Sequence, residues 1–325
     1  MKTDTADRIL AYLKEKPETT AKKLAEFLAI TPQALFRQLK KLQRENKIIK
    51  VGAPPIVYYS LQNREDKPME VSLPTNTSTI INENFLTITP QGQILPGVVG
   101  FYHWCAKQNL DIKKTAPEYI KTLGKYNEFK TNGLIDATKK MRDTFAEMFL
   151  DKIYYLDFYS IERFGKTKLG TLLLYAKQTQ NTKLINEIYL LTKSQINTLI
   201  KYEKTDAVGF IPPTISRKIQ LQKELAKKLQ LPLPVLNINK AVNEIAIPQK
   251  SLSKLEDRIE NARSTIFVDE NRKFDNILLI DDAVGSGATL NETAKKIKAR
   301  GICTGKIVGL ALVGSFKGFD VINEI

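Results

Sequence analysis

Histidine, cysteine and tryptophan are nearly missing from this 325-residue chain, which holds one His, two Cys and one Trp. The rare residues fall together at His103, Trp104 and Cys105. One His beside one Cys lacks the ligand count of a zinc site, so this trio reads as core packing. Cys105 and Cys303 are too few for a disulfide framework, and a reducing cytoplasm is the expectation. Long apolar runs are missing as well. Nothing approaches the ~20 residues of a membrane span, and the opening MKTDTADRIL has acids where a signal peptide needs an apolar stretch. A soluble protein with no membrane partner is expected.

Acidic residues are in deficit too: 35 Asp and Glu face 50 Lys and Arg, giving a formal charge of +15 and a pI near 9.5. Such a field attracts phosphate backbones and anionic metabolites, although a Lys-rich solvated surface sums to the same number. With 42% hydrophobic residues the chain can fill two ordinary cores, and two or three domains are expected.

The first 62 residues carry helical and then strand-like patterning. Ile9, Leu10 and Leu13 repeat at helical spacing between Ala6 and Lys16, and Pro17 ends the pattern. Thr20 is placed to cap a second helix with Leu24, Ala25, Phe27 and Leu28 on its buried face. Thr31 and Pro32 read as the N-cap and first position of a third, running through Leu35, Phe36, Leu39 and Leu42. Ile48 to Val51, a turn at Gly52 to Pro55, and Ile56 to Leu61 predict a hairpin. Three helices and a hairpin in this order make a winged helix-turn-helix.

The stretch TTAKKLAEFLAITPQALFRQLKKLQRENKIIKV resembles winged-helix regulators of the MarR and ArsR type. In that geometry the third helix enters the major groove, so Gln33, Arg37, Gln38 and Lys41 face DNA while Lys40, Arg44 and Lys50 contact phosphates. Residues 1–62 hold twelve Lys or Arg against six Asp or Glu, consistent with a DNA or structured nucleic-acid partner. A winged helix used for protein contact is the alternative. A two-fold homodimer follows by analogy with palindromic recognition.

Residues 63–84 mix Pro with Ser, Thr and Asn without periodicity and read as a linker. Residues 85–149 suggest a small hairpin, a helix around Tyr102 to Gln108, and helices near Pro117 to Phe129 and Leu134 to Leu150. A dimerisation or lid element is one use for this segment.

The chemistry concentrates in Asn276 to Leu290, NILLIDDAVGSGATL: four aliphatics, two carboxylates, a Gly-rich turn and then a helix over Asn291 to Ala299. Loop amides and a helix N-terminus together present unpaired donors to an anion, at the carboxyl edge of a parallel sheet. Gly285 and Gly287 let backbone approach a phosphate, and Ser286 and Thr289 add hydroxyls. Asp281 and Asp282 repel phosphate, so they suit ribose hydroxyls or a Mg²⁺ bridging to them. A Rossmann-like loop of other use is the bland alternative, but there the acid follows the glycines by ~20 residues.

ILLIDDAVGSGATL resembles the phosphoribosyl-pyrophosphate (PRPP) binding motif of type I phosphoribosyltransferases. That resemblance implies a parallel sheet flanked by helices over residues 150–325. It puts Asp281 and Asp282 on the 2′ and 3′ hydroxyls, with Ala283, Val284, Gly285, Ser286, Gly287, Ala288 and Thr289 around the 5′-phosphate, and Mg²⁺ as cofactor. Gly285 and Ser286 replace the commoner Thr-Thr pair. The series AVGFIPP, a helix through Glu224 to Leu229, a strand over Leu233 to Ile238, and then Gln249, Leu252, Ser253, Arg258 and Asn261 is similar to the ComF-like branch. By that likeness Arg217 and Lys218 serve the pyrophosphate, and Lys240 to Arg263 forms a mobile loop carrying Lys250, Arg258 and Arg263. The family's Gly-Phe-Asn-Gln stretch is Lys218, Ile219, Gln220 and Leu221 here, which puts the pyrophosphate subsite in doubt.

Two functions fit. One is a ligand-responsive DNA-binding regulator, similar in domain logic to the purine operon repressor. The other is an active Mg-dependent phosphoribosyltransferase delivered to nucleic acid, as in ComF-type DNA uptake or nucleotide-consuming defence effectors, retron-associated ones included.

Overall fold

A computed structural model describes residues 4–16, 18–53, 55–62, 73–241 and 244–315; the side chains of Ala53 and Lys250 also lie outside the description. The chain divides into two compact units, Met1–Ser72 and Leu73–Ile325.

In the N-terminal unit, α1 (Thr5–Glu15), β1 (Thr19–Thr20), α2 (Ala21–Leu28) and α3 (Pro32–Arg44) precede the hairpin of β2 (Ile48–Ala53) and β3 (Ile56–Leu61). β3 is central, flanked by β1 and β2, both antiparallel to it. Both helix starts follow capping chemistry: Thr20 Oγ1 accepts the Lys23 amide and Thr31 Oγ1 the Ala34 amide. Ile9, Leu13, Leu24, Leu28, Leu35, Leu39, Leu42, Ile48 and Tyr59 close the core. Phe27 corrects the expected helical face. It is half exposed, with its ring 4.3 Å from that of Tyr12, because Leu24 and Leu28 already fill the inward stripe one turn apart. Phe36 is exposed for the same reason beside Leu35 and Leu39. Pro17 and residues 63–72 of the expected linker lie outside the described residues.

The larger unit opens with α4 (Thr75–Asn84), where the sequence reads as linker. Its mixed polar composition hides one anchor, the fully buried Ile81. A hairpin of β4 (Leu86–Ile88) and β5 (Ile94–Pro96) leads into α5 (Gly97–Lys107), then α6 (Ile112–Asn127), β6 (Lys130–Thr131), β7 (Leu134–Asp136) and α7 (Thr138–Thr144). The helix expected over Leu134 to Leu150 is thus a strand and a short helix: Ile135 and Asp136 pair with Tyr155 and Tyr154 of the main sheet. Phe85, Phe101, Trp104, Tyr119 and Phe164 form an aromatic cluster with centroid separations of 5.1–6.3 Å, and Cys105 is buried behind it. The middle segment therefore belongs to the core of this unit. Among the described residues no cluster of His, Cys, Asp and Glu could hold a metal, and no helix is long and apolar enough to cross a membrane.

The remaining elements are β8 (Lys152–Phe158), β9 (Ser160–Ile161), β10 (Gly165–Lys166), α8 (Lys168–Thr179), α9 (Thr182–Tyr202), β11 (Ala207–Phe210), α10 (Leu221–Leu229), β12 (Ile238–Lys240), α11 (Leu255–Thr265), β13 (Ile266–Val268), β14 (Phe274–Val284), α12 (Ala288–Ala299) and β15 (Cys303–Gly314). The main sheet runs β11-β14-β15-β8-β7-β6, with the first four strands parallel and the last two antiparallel. It is buried on both faces, as parallel strands require. Along β14, Ile277 and Leu279 enter the core under α12, while Leu278 and Ile280 enter the opposite core under α8, α9 and α10. The architecture is an α/β parallel sheet flanked by helices, with an N-terminal winged helix-turn-helix domain. Within the range Lys240 to Arg263, read as a loop, the chain enters a helix at Leu255: α11 packs along α12, anchored by buried Ala262, while residues 242–243 lie outside the described residues.

Candidate functional site

The site arises where β14 outruns its neighbour. β11 stays paired to it as far as Phe210 opposite Ile280, and the Ile211 amide donates to the Ile280 carbonyl before Pro212 and Pro213 turn the chain away. On its other side β14 remains paired to β15 through Val284 opposite Gly314. Residues 281–284 therefore have one free edge, and that edge opens into a cavity of about 240 Å³ at the carboxyl ends of the parallel strands. Sequence alternation decides what enters it.

Asp281 and Asp282 both line the cavity, but the pleat gives them different partners. Asp282 is turned toward α8 and α10. Lys177 Nζ lies 3.0 Å from its carboxylate and Gln222 Nε2 donates to Oδ2 at 2.7 Å. This acid is buried and supplied with donors by the protein itself. Among the described residues the hydrogen-bond donor to Asp281 is a backbone one, the Asp282 amide, at 2.8 Å to Oδ1. Burial first, and the neighbouring Asp282 charge second, push its pKa up to about 7. Lys177 and Lys240 oppose that shift only in part, and an acid in that state gains from further hydroxyl donors.

The turn after the strand brings backbone to the cavity wall. Gly287 adopts φ +81° as the N-cap of α12, a left-handed conformation that favours glycine. Ser286 is buried and its Oγ accepts the Ala288 amide. The other first-turn amides of this twelve-residue helix have no acceptor within it, and the residues at its N-terminal, positive end line the cavity. Gly285, Gly287, Ala288 and Thr289 all line the wall. We expect Gly287→Ala to destabilise the protein by about 1–2 kcal/mol, as strained left-handed backbone costs. Denaturant melts measure this directly.

Besides Lys177 on α8, cations reach the same hollow from three further segments. Lys240, on β12, donates to Thr214 Oγ1 at 2.7 Å, and burial pushes its pKa down while Asp281 works against that shift. Arg217 lines the cavity from the loop after β11. Arg258 enters it from α11 and is buried. Lys218 is exposed and is not among the lining residues. Arg263 is also turned away, with its Nε 3.4 Å from Glu292. The Lys250 side chain lies outside the described residues. Lys177, Gln222 and Lys240 are members that the sequence reading missed. Gln222 and Lys177 stand 60 and 105 residues from Asp282, so no local spacing could reveal them.

In the N-terminal unit Gln33, Arg37, Lys40, Lys41, Arg44 and Lys50 are exposed. Arg37, Lys40, Lys41 and Arg44 share one shallow hollow along α3 with Glu45. Gln38 departs from the expected outer face: it is partly buried, and its Oε1 has no hydrogen-bond partner among the described residues.

A family model described as winged helix-turn-helix DNA-binding matches residues 3–49. No curated protein matches the chain. Among solved structures, the chain is similar to an adenine phosphoribosyl transferase from Trypanosoma brucei, in complex with AMP, pyrophosphate and ribose-5-phosphate, at 16% identity. That match covers 49% of this chain and 73% of that one, with a TM-score of 0.25. It is also similar to the adenine phosphoribosyltransferase of Leishmania tarentolae, at 10% identity over 45% of this chain and 76% of that one, with a TM-score of 0.23.

Proposed function

We propose that this chain is a ligand-responsive nucleic-acid-binding protein, in which PRPP or a nucleotide bound in the larger unit tunes the affinity of the winged helix for DNA. The observation that carries the reading is the cavity at the end of β14. It sets an under-supplied carboxyl, Asp281, a few residues from a glycine turn and a helix N-terminus. Sugar hydroxyls answer the first and a phosphate answers the second, and a sugar phosphate joins both in one molecule.

Asp282 serves as the pivot of this arrangement. Lys177 and Gln222 hold it, so Asp281 takes the larger share of the hydroxyl contacts. Mg²⁺ enters this reading bound to the pyrophosphate of PRPP, because the two acids alone do not make a closed ligand set. The exposed Arg37, Lys40, Lys41 and Arg44 on α3 supply the phosphate and groove contacts to DNA.

The test is a duplex selected from a random library, titrated by fluorescence anisotropy with and without PRPP and Mg²⁺. A coupling of ordinary size changes the affinity about 5- to 150-fold while PRPP stays intact. An unchanged affinity at saturating PRPP sinks the regulatory reading.

Arg217 and Lys240, set beside Asp281 in one cavity, favour a second reading: an active phosphoribosyltransferase. There the C1–O bond of PRPP would break with its electron pair leaving on pyrophosphate, an acceptor lone pair would form the new bond at C1, and the acceptor's proton would pass to solvent; Mg²⁺, if bound, would offset the leaving group's charge. Cations stabilise the charge that develops on the leaving group. Release of pyrophosphate from PRPP with any base, nucleotide or polynucleotide acceptor selects this reading over regulation.

A further inference from the structure

Helix α11 carries a cation that the chain's own hydrogen bonds do not use up. Arg258 is 4% exposed. Its Nε donates to the Leu252 carbonyl at 2.7 Å, yet Nη2 is buried with no hydrogen-bond partner among the described residues. No ion pair to it exists among them either. The guanidinium lies against the glycine turn: a Cβ built on Gly285 would stand 3.1 Å from Nη1. A buried guanidinium keeps its charge and leaving it unpaired is costly, so its environment calls for an anion.

The segment before it is built to hold that position. Gln249 Nε2 donates to the Arg258 carbonyl and to Asn261 Oδ1, each at 3.1 Å, which ties the start of the segment onto α11. Gln249 Oε1 is also buried without a partner among the described residues, and both residues line the cavity. Lys177 is held by Asp282, and Lys240 already has Thr214 and lies beside Asp281 instead.

We propose that Arg258 is the cationic side of the phosphate subsite, completing with the Gly285–Gly287 turn and the first amides of α12 a site for a dianionic phosphate monoester. This deepens the sugar-phosphate reading above and rests on it. The two η nitrogens present a fork that matches two phosphate oxygens, which favours a terminal monoester over a phosphodiester or an uncharged nucleoside. It also makes residues 249–265 a fixed wall of the site, and their cation serves the glycine turn rather than a departing pyrophosphate.

The test is calorimetric titration of the full chain with ribose 5-phosphate and with ribose, comparing wild type with Arg258→Gln, Arg258→Lys and the outward-facing Arg263→Gln. Arg258→Gln is expected to weaken ribose 5-phosphate by about 10- to 100-fold and to leave ribose unchanged; Arg263→Gln is expected to stay at wild-type affinity. Removing an unpaired buried charge removes its desolvation cost, so the unliganded Arg258→Gln protein melts no lower than wild type. A structural arginine would give the opposite melting result. Should Arg258→Gln fail to fold, Arg258→Lys decides: it keeps the charge but loses the fork, and a loss of several-fold is expected. Wild-type affinity for ribose 5-phosphate in either folded variant overturns the assignment while leaving the sugar-phosphate reading standing. A wild-type protein that binds neither compound removes both.

Discussion

Replacing Asp281 by Asn is expected to abolish sugar-phosphate binding and, at pH 8, to make the protein more stable. The two effects share one cause. Asp281 sits where burial and the Asp282 charge disfavour its ionised form. An acid whose folded-state pKa lies above its unfolded value of 3.8 binds more protons when folded, so its ionisation weakens the fold as pH climbs through the window from about 4 to about 7. Above that window the cost is complete. Asn keeps the shape and removes the charge. Because the carboxyl lines an open cavity, solvent screens part of the penalty, and the expected gain at pH 8 is on the order of 1–2 kcal/mol, or about 2–6 °C in melting temperature. At pH 4 wild type and variant should melt together. Binding moves the other way: losing an ionised acceptor for ribose hydroxyls costs at least about 100-fold in affinity for ribose 5-phosphate, and wild-type affinity should rise with pH through about 7. Thermal melts and calorimetry from pH 4 to 8 read both. A variant that melts lower at pH 8, or that binds normally, refutes the placement of Asp281 at the ligand.

How much of this could be read from the chain alone depended on the range of the interaction. The winged helix was legible because its signals are local: Thr20 and Thr31 cap helices three residues ahead, and Leu35, Leu39 and Leu42 share one stripe. The end of β14 was legible because four aliphatics, two acids and a glycine turn follow one another without a gap. Where the outcome rests on distant partners, local pattern misled. Phe27 is apolar and falls near the inward stripe of α2, yet Leu24 and Leu28 occupy the space and leave it against Tyr12. Leu134 and Ile135 look like the start of a helix until Tyr155, twenty residues on, offers a strand edge. Adjacent carboxylates in sequence suggest a shared task, but the period of two in a strand hands Asp282 to Lys177 and Gln222 and leaves Asp281 for the hollow. In the sequence Arg258 reads as one of three cations on a loop serving pyrophosphate; only the fold buries it beside Gly285.

Removing charge from α3 is expected to change DNA binding in a way that separates phosphate contacts from base readout. Lys40 and Arg44 stand one turn apart on the exposed face of α3, each able to neutralise one backbone phosphate. Each such contact releases about 0.9 of a counterion, so the Lys40→Ala, Arg44→Ala double variant should lower the slope of log affinity against log salt by about 1.8 and weaken all duplexes alike. At physiological salt the loss should reach about 10- to 100-fold. Gln33 stands at the other end of the same helix and carries no charge. Its replacement by Ala should leave the slope unchanged and instead narrow the gap between a selected and a random duplex, by about 1–3 kcal/mol if it reads a base edge. Anisotropy titrations at four or five salt concentrations give both quantities. An unaltered slope in the double variant means that α3 does not lie on the phosphates, and the winged helix would then be a surface for protein rather than DNA.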